Sequence, residues 1–347
     1  MHTAQSISNL HPIVFTFCNY GKHGVQLFFF LSAYTLCLSR QDRAYEVYAN
    51  KKYFIRRFFR IAPLYYFGIA LYGSVYLLKS HTFLQWFNVN TEYSAYIVIR
   101  HLTFTQSFSS DVIFGGVPGG WSIGTEILFY IIFPFLYDKM YLIKSKYRLI
   151  LLPFFVAFSS FVFFRALPHL IPPLSKHDFN FYYCTFINQV SIFLLGISFF
   201  ILYKDKSFSK ANGYICLLLF TLSSSVLLFF KHIGFQDISL FPFFTGCSFI
   251  FLFIAFRSLD FLNIKFIQWV GRVSFSIYLF HFLFAWGLSS QLNSILIINL
   301  NSYLILSISI MLTVLCSLLF ATLTKYMIED KGIELGFKII KRKLNFI

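Results

Sequence analysis

Apolar residues along this chain gather in long blocks, and the polar residues collect between them. A helix that crosses a bilayer needs roughly 20 mostly apolar residues. The blocks 24–39, 61–78, 121–137, 149–168, 185–203, 213–230, 239–256, 273–290 and 302–324 approach or reach that length, which predicts nine spans. A tenth stretch, 95–108, is shorter and carries Arg100 and His101, so a re-entrant or interfacial helix is expected there. The pattern predicts an all-α fold: a polytopic integral membrane helical bundle of about nine full spans plus a re-entrant helix. Residues 1–347 are expected to form a single membrane domain with no appended soluble domain.

Composition narrows the class. Hydrophobic residues make up 58% of the 347 and charged residues only 12%. So little charge cannot cover the core of a soluble protein of this length. Disorder, a disulfide-stapled secreted fold and a soluble Rossmann enzyme are excluded on the same ground. The six cysteines (18, 37, 184, 216, 247 and 316) form no Cys-x-x-Cys or zinc spacing, so no metal site is expected.

Charge then sets an orientation. The net charge is +16, and 23 of the 29 basic residues fall in the segments 40–60, 138–148, 204–212, 257–272 and 325–347. Basic loops between spans mark the cytoplasmic side, so these segments and the C-terminus are expected there. No basic domain stands apart, which argues against a nucleic-acid partner. Counting 95–108 as a full span would invert every later loop. Residues 1–23 are too polar to span and carry no signal-peptide pattern.

Ionisable groups within a span are costly and are functional candidates by default. Glu126 is the acidic residue within a predicted span. It follows Trp121 by five positions, roughly 7.5 Å of helix. Ser122, Glu126 and Tyr130 recur every four residues and share a face, and GGVPGG (115–120) breaks the chain just before them. His281 is the histidine clearly inside a span, with Ser274 and Tyr278 on the same predicted face. Each of these residues also has a structural reading, as a hydrogen-bonded packing group. Arg57 and Arg60, three apart in RRFFRIAPLYY (56–66), suit either topology and lipid phosphate or a phosphorylated cofactor. His232 and Asp237 have the His-x-x-x-x-Asp spacing of soluble acyltransferases, but they lack the domain that motif requires.

Six segments in order resemble the acyltransferase-3 family of membrane O-acyltransferases. They are GVQLFFFLSAY (24–34), FIRRFFRIAPLYY (54–66), WSIGTEILFYIIFP (121–134), NQVSIFLLGISFF (188–200), GRVSFSIYLFHFLF (271–284) and YMIEDKGIELG (326–336). The resemblance implies that His2, in MHTAQ, is the catalytic His that ends the family's first helix. It also implies that the rest of that helix, with its Arg, is missing at the N-terminus. Arg57 and Arg60 are the implied Arg-x-x-Arg pair, and Trp121, Ser122 and Glu126 the implied Trp-Ser-x-x-x-Glu helix.

The family moves acyl groups, often acetyl, from cytoplasmic acyl-CoA to hydroxyls of extracytoplasmic glycans in the bacterial inner membrane. The implied roles are His2 as general base, Glu126 as its orienting carboxylate, and Arg57 and Arg60 as the CoA-phosphate site. His281, Tyr278, Trp121 and Ser122 are implied around the substrate. Acyl-CoA, a glycan acceptor and membrane lipids are the expected partners, with no metal. Two rivals stay open: a non-enzymatic carrier of lipid-linked glycan, and an N-terminally truncated inactive remnant.

Overall fold

The computed structural model describes residues 1–7, 9–78, 93–170, 179–234, 240–296 and 300–344. Among them every regular element is a helix. In chain order these are α1 (His2–Gln5), α2 (Pro12–Tyr20), α3 (Gly24–Asp42), α4 (Ala49–Leu78), α5 (Ala95–Leu102) and α6 (Gly120–Tyr141). Then come α7 (Lys146–Leu170), α8 (Phe179–Cys184), α9 (Phe186–Tyr203), α10 (Lys210–His232) and α11 (Leu240–Ser258). The chain closes with α12 (Lys265–Phe282), α13 (Ser289–Leu296), α14 (Ser302–Thr324) and α15 (Asp330–Leu344). π-helical turns at Leu283–Leu288 and Lys325–Glu329 join α12 to α13 and α14 to α15 without a break. Asp237, of the discounted His-x-x-x-x-Asp pair, lies outside the described residues.

Eight helices among the described residues are long and apolar enough to cross a membrane, against nine expected. The ninth block forms α3, a helix of 19 residues. Gln26, Ser32, Ser39, Arg40 and Gln41 dilute its apolarity. The 95–108 stretch is α-helical only over the eight residues of α5, too short to span, with a separate 3-10 turn at Gln106–Phe108. Ser94 caps its start, accepting from the Ile97 N–H at 3.3 Å. Phe104 takes a positive φ of 57° just past its end, which a helix cannot continue through. Leu151, Phe155, Leu218 and Leu319, in the predicted spans, are more than half exposed. A surface of that kind suits lipid rather than water.

The backbone divides into two compact units: residues 1–21, 48–124 and 268–347 in the first, and 22–47 and 125–267 in the second. In the first unit α15 lies on α4. Gly332 and Gly336 permit the approach, since a Cβ at either would come within 2.8 Å of Pro63 or Phe59. The Tyr72 hydroxyl donates to the Leu279 carbonyl at 2.9 Å and ties α4 to α12. Ala4 and Ile7 pack against Ile305 and Leu306 of α14.

In the second unit α9 is the buried centre, with Ile192, Phe193, Ile197 and Phe200 fully enclosed. A Cβ at Gly196 would meet the Phe30 carbonyl oxygen at 2.5 Å, so glycine there lets α3 lie directly on α9. Small residues at such contacts replace the hydrophobic drive that lipid removes. Phe193 stacks on Phe129 at 4.0 Å and on Phe29 at 4.6 Å. Gln26, fully buried, donates to Tyr183 at 3.0 Å and to Gln189 at 3.1 Å.

Candidate active site

In the first unit the geometry begins at His281. Its Nδ1 lies 2.8 Å from the Tyr278 carbonyl oxygen and 3.2 Å from that of Ile277. Carbonyl oxygens only accept, so Nδ1 carries the proton and Nε2 carries the lone pair. His2 reaches the same state by another route. Trp286 Nε1, which can only donate, lies 3.3 Å from Gln5 Oε1. That contact fixes the amide with its oxygen toward the cluster. His2 Nδ1, 3.2 Å from the same oxygen, must therefore donate as well, and its Nε2 is left as the acceptor.

The two imidazoles belong to one aromatic cluster. The His2 ring is 5.5 Å from that of His281, 4.4 Å from Phe282 and 5.4 Å, edge-on, from Trp286. The π-helical turn that begins at Leu283 contains Trp286; such turns occur often at functional sites. Burial pushes the His2 pKa down to about 3, and the charge of His281 adds to the effect. At neutral pH this imidazole is unprotonated.

Beside the cluster, the Ser122 hydroxyl, the Tyr278 hydroxyl and the Gly119 carbonyl form a triangle with edges of 2.6, 3.0 and 3.1 Å. Gly119 has φ +72°, and a Cβ there would lie 2.9 Å from Phe282 and 3.0 Å from the Tyr278 hydroxyl. The broken GGVPGG segment thus lets the backbone close against α12. Ser274, expected on the same face, is exposed and donates to the Gly271 carbonyl instead. The Trp121 carbonyl accepts from Ser107 at 3.1 Å.

A third histidine of this unit, His101 on α5, is 1% exposed and differently bonded. The Gln106 amide donates to the Gly120 carbonyl at 2.9 Å and to the Tyr65 hydroxyl at 3.0 Å. The Tyr65 proton is then directed at His101 Nδ1, 2.7 Å away. That nitrogen accepts, so Nε2 carries the proton, and the nearby backbone of Gly115 and Val112 acts to raise its pKa. Burial dominates nonetheless and lowers the His101 pKa to about 4. Arg57 lies with its guanidinium 5.9 Å over the Tyr53 ring. Arg60 is exposed and within electrostatic reach of Glu329, a 3%-exposed carboxylate that accepts from Ser276 at 3.1 Å.

In the second unit Glu126 is 1% exposed. Its Oε1 accepts from the Ser32 hydroxyl at 2.6 Å and from the Tyr130 hydroxyl. The four-residue spacing of Glu126 and Tyr130 is therefore a real hydrogen-bonded stripe. Ser32 arrives from α3, 94 residues earlier, and no local pattern announces it.

His2, His281, Tyr278 and Ser122 are thus gathered in the first unit, and Glu126 is fixed in the second. Gln5, Trp286, Tyr65, Gln106 and Glu329 belong to these networks and were not singled out by spacing or by out-of-place charge, and His101 was marked only as a polar residue of the short 95–108 stretch.

Helices of this length and apolarity define a multi-pass membrane protein. The family model for the acyltransferase domain, acyltransferase 3, matches residues 2–322, and the chain belongs to that family. It is a membrane acyltransferase. No curated protein and no solved structure matches the chain.

Proposed function

We propose that this acyltransferase moves an acyl group, acetyl as the expected case, from cytoplasmic acyl-CoA to a hydroxyl of an extracytoplasmic glycan. The proposed setting is the bacterial inner membrane, with the C-terminus cytoplasmic. The observation that carries the reading is the His2–His281 pair, in which both Nδ1 atoms are occupied and both Nε2 atoms hold lone pairs. A sugar hydroxyl is a poor nucleophile at neutral pH and needs such a base.

In the proposed step His2 Nε2 takes the hydroxyl proton as the sugar oxygen bonds to the thioester carbonyl carbon. The carbon–sulfur bond then breaks, and the imidazolium returns the proton to the departing CoA thiolate. The imidazolium needs counter-charge while it exists, and Glu126 is proposed as a catalytic carboxylate of the reaction. Tyr278 and Ser122 supply hydroxyls for the sugar, His281 and Trp121 shape its pocket, and Arg57 and Arg60 hold CoA phosphates as planar guanidinium groups do.

The test is mass spectrometry of the surface glycan from a deletion strain and from the same strain re-expressing the gene. A restored acyl mass per sugar is expected, and Glu126→Gln should remove roughly 99% of it. An unchanged glycan with the protein shown to be in the membrane, or full acylation by Glu126→Gln, overturns the reading.

A further inference from the structure

A second feature lies wholly within the first unit, between α14 and the turn that joins α12 to α13. Ser309, Thr313 and Ser317 recur every four residues on α14, so they share one face. Each is less than a tenth exposed. A hydroxyl inside a helix ordinarily donates to a carbonyl of the turn before it. Ser307, Thr322 and Thr324 of the same helix do so, at 2.9, 2.7 and 2.9 Å. Ser309, Thr313 and Ser317 do not, and among the described residues no hydrogen-bond partner meets any of the three.

The opposite wall repeats the pattern. α14 packs against the π turn Leu283–Leu288 and against α13. Phe320 meets Phe284 at 6.0 Å, and Leu306, toward the other end of α14, shares a cluster with Leu296. The two stretches therefore run antiparallel, which sets 309–317 opposite the part of the chain that holds Ser289 and Asn293. Ser289 is fully buried with its hydroxyl unpartnered, and Asn293 Oδ1 is buried and unpartnered as well. These hydrogen-bonding groups lie along one seam, following about 12 Å of α14. Within a membrane unmet groups of this kind are costly, because lipid supplies no partner.

The seam also has meaningful ends. At one end Ile305 and Leu306 pack on Ala4 and Ile7 of the segment that carries His2. The π turn in its wall holds Trp286, whose indole donates to Gln5 beside His2. At the other end α14 runs through its own π turn into α15, which lies on α4 at Phe59 and Pro63, on either side of Arg60. A permanent occupant would hold the two walls apart. Walls closed over unmet polar groups fit an occupant that comes and goes. It must be thin, extended and able to hydrogen-bond at several points along its length. A sugar ring is too wide, and a fatty chain cannot answer the hydroxyls.

We propose that this seam opens to receive the pantetheine arm of acyl-CoA, whose two amides and hydroxyl meet Ser309, Thr313, Ser317 and Ser289. The proposal rests on the acyl-CoA reading above and adds the route by which the thioester reaches His2.

The test uses the full-length protein in nanodiscs and two probes. One is CoA; the other is adenosine 3′,5′-bisphosphate, which keeps the nucleotide end and lacks the arm. Ser309→Ala, Thr313→Val and Ser317→Ala together are expected to weaken CoA binding by roughly tenfold or more, with the bisphosphate bound as before and thermal melting kept. Should the triple variant melt below the parent, Thr313→Val alone, which keeps the side-chain shape, carries the comparison. Unchanged CoA affinity means that the hydroxyls serve packing or hold water, and overturns the proposal. Equal weakening of both probes means a disturbed nucleotide site, and overturns it as well. A parent protein that binds neither probe is a different result: it removes the acyl-CoA reading itself, and this proposal with it.

Discussion

His101 and His281 lie in the same unit, and each is held through Nδ1, with opposite results. At His101 the Nδ1 lone pair is used up by Tyr65, and Nε2 carries the proton. At His281 the Nδ1 proton is given to backbone carbonyls, and the lone pair remains on Nε2. His2 follows the second pattern, with Gln5 in place of a carbonyl and Trp286 fixing the amide. The first arrangement closes a structural network around the Gly115–Gly120 turn. The second leaves a base. Burial alone does not separate them, because it depresses both His2 and His101; the sense of one hydrogen bond does.

The sharpest way to break this contrast is to remove each imidazole in turn. His2→Gln is expected to lower acyl transfer by about 10²–10⁴-fold in reconstituted vesicles while the protein still melts normally. His101→Phe is expected to do the reverse. It strands the buried Tyr65 hydroxyl and costs about 1–3 kcal/mol of stability, with transfer by the folded fraction retained. Equal loss of transfer in both variants, at unchanged melting, would erase the distinction.

Acid titration sharpens it next. His101 has a folded pKa of about 4 against an ordinary 6.5, so the unfolded chain binds the proton first as the pH drops. Stability should therefore fall below pH 6.5 and level off near pH 4, by about 3 kcal/mol from this group. Melting curves of His101→Phe across that range should show a correspondingly shallower acid slope. A slope identical to that of the parent protein would mean that His101 is not buried neutral.

The smallest effect concerns Gln5 and Trp286, which act only through His2. Gln5→Leu and Trp286→Phe should each lower kcat by roughly tenfold or less, the worth of one hydrogen bond. Gln5→Glu is more telling. A carboxylate beside Nδ1 favours the imidazolium, so the acid limb of the rate profile should move upward in pH. A profile that stays in place would leave Gln5 as packing alone.

Much of this was legible in the chain itself. The apolar blocks are local sums of side-chain hydropathy, and eight of the nine expected spans became helices long and apolar enough to cross. The Glu126–Tyr130 stripe follows from helical spacing. The segment after GGVPGG was readable as a helix start because glycine and proline break the chain locally. Ser274 shows the limit of the same reasoning: its spacing matches Tyr278 and His281, yet it bonds back to Gly271 and faces outward. α3 shows the opposite limit. Even its most apolar stretch falls short of those in the other long helices, and Gln26 is accommodated by partners more than 150 residues away.

The sequence by itself determined the class of protein, the positions of its helices and the polar residues that apolar surroundings make expensive. Those properties depend on neighbours within a few turns. At His281 the helix's own carbonyls decide which nitrogen keeps its lone pair; at His2 and His101 the tertiary structure decided it, because the deciding partners, Trp286 and Tyr65, come from other parts of the chain. Trp286 sits 281 residues from the Gln5 it orients. A proton's position is set by the nearest acceptor in space, and only the folded chain specifies which acceptor that is.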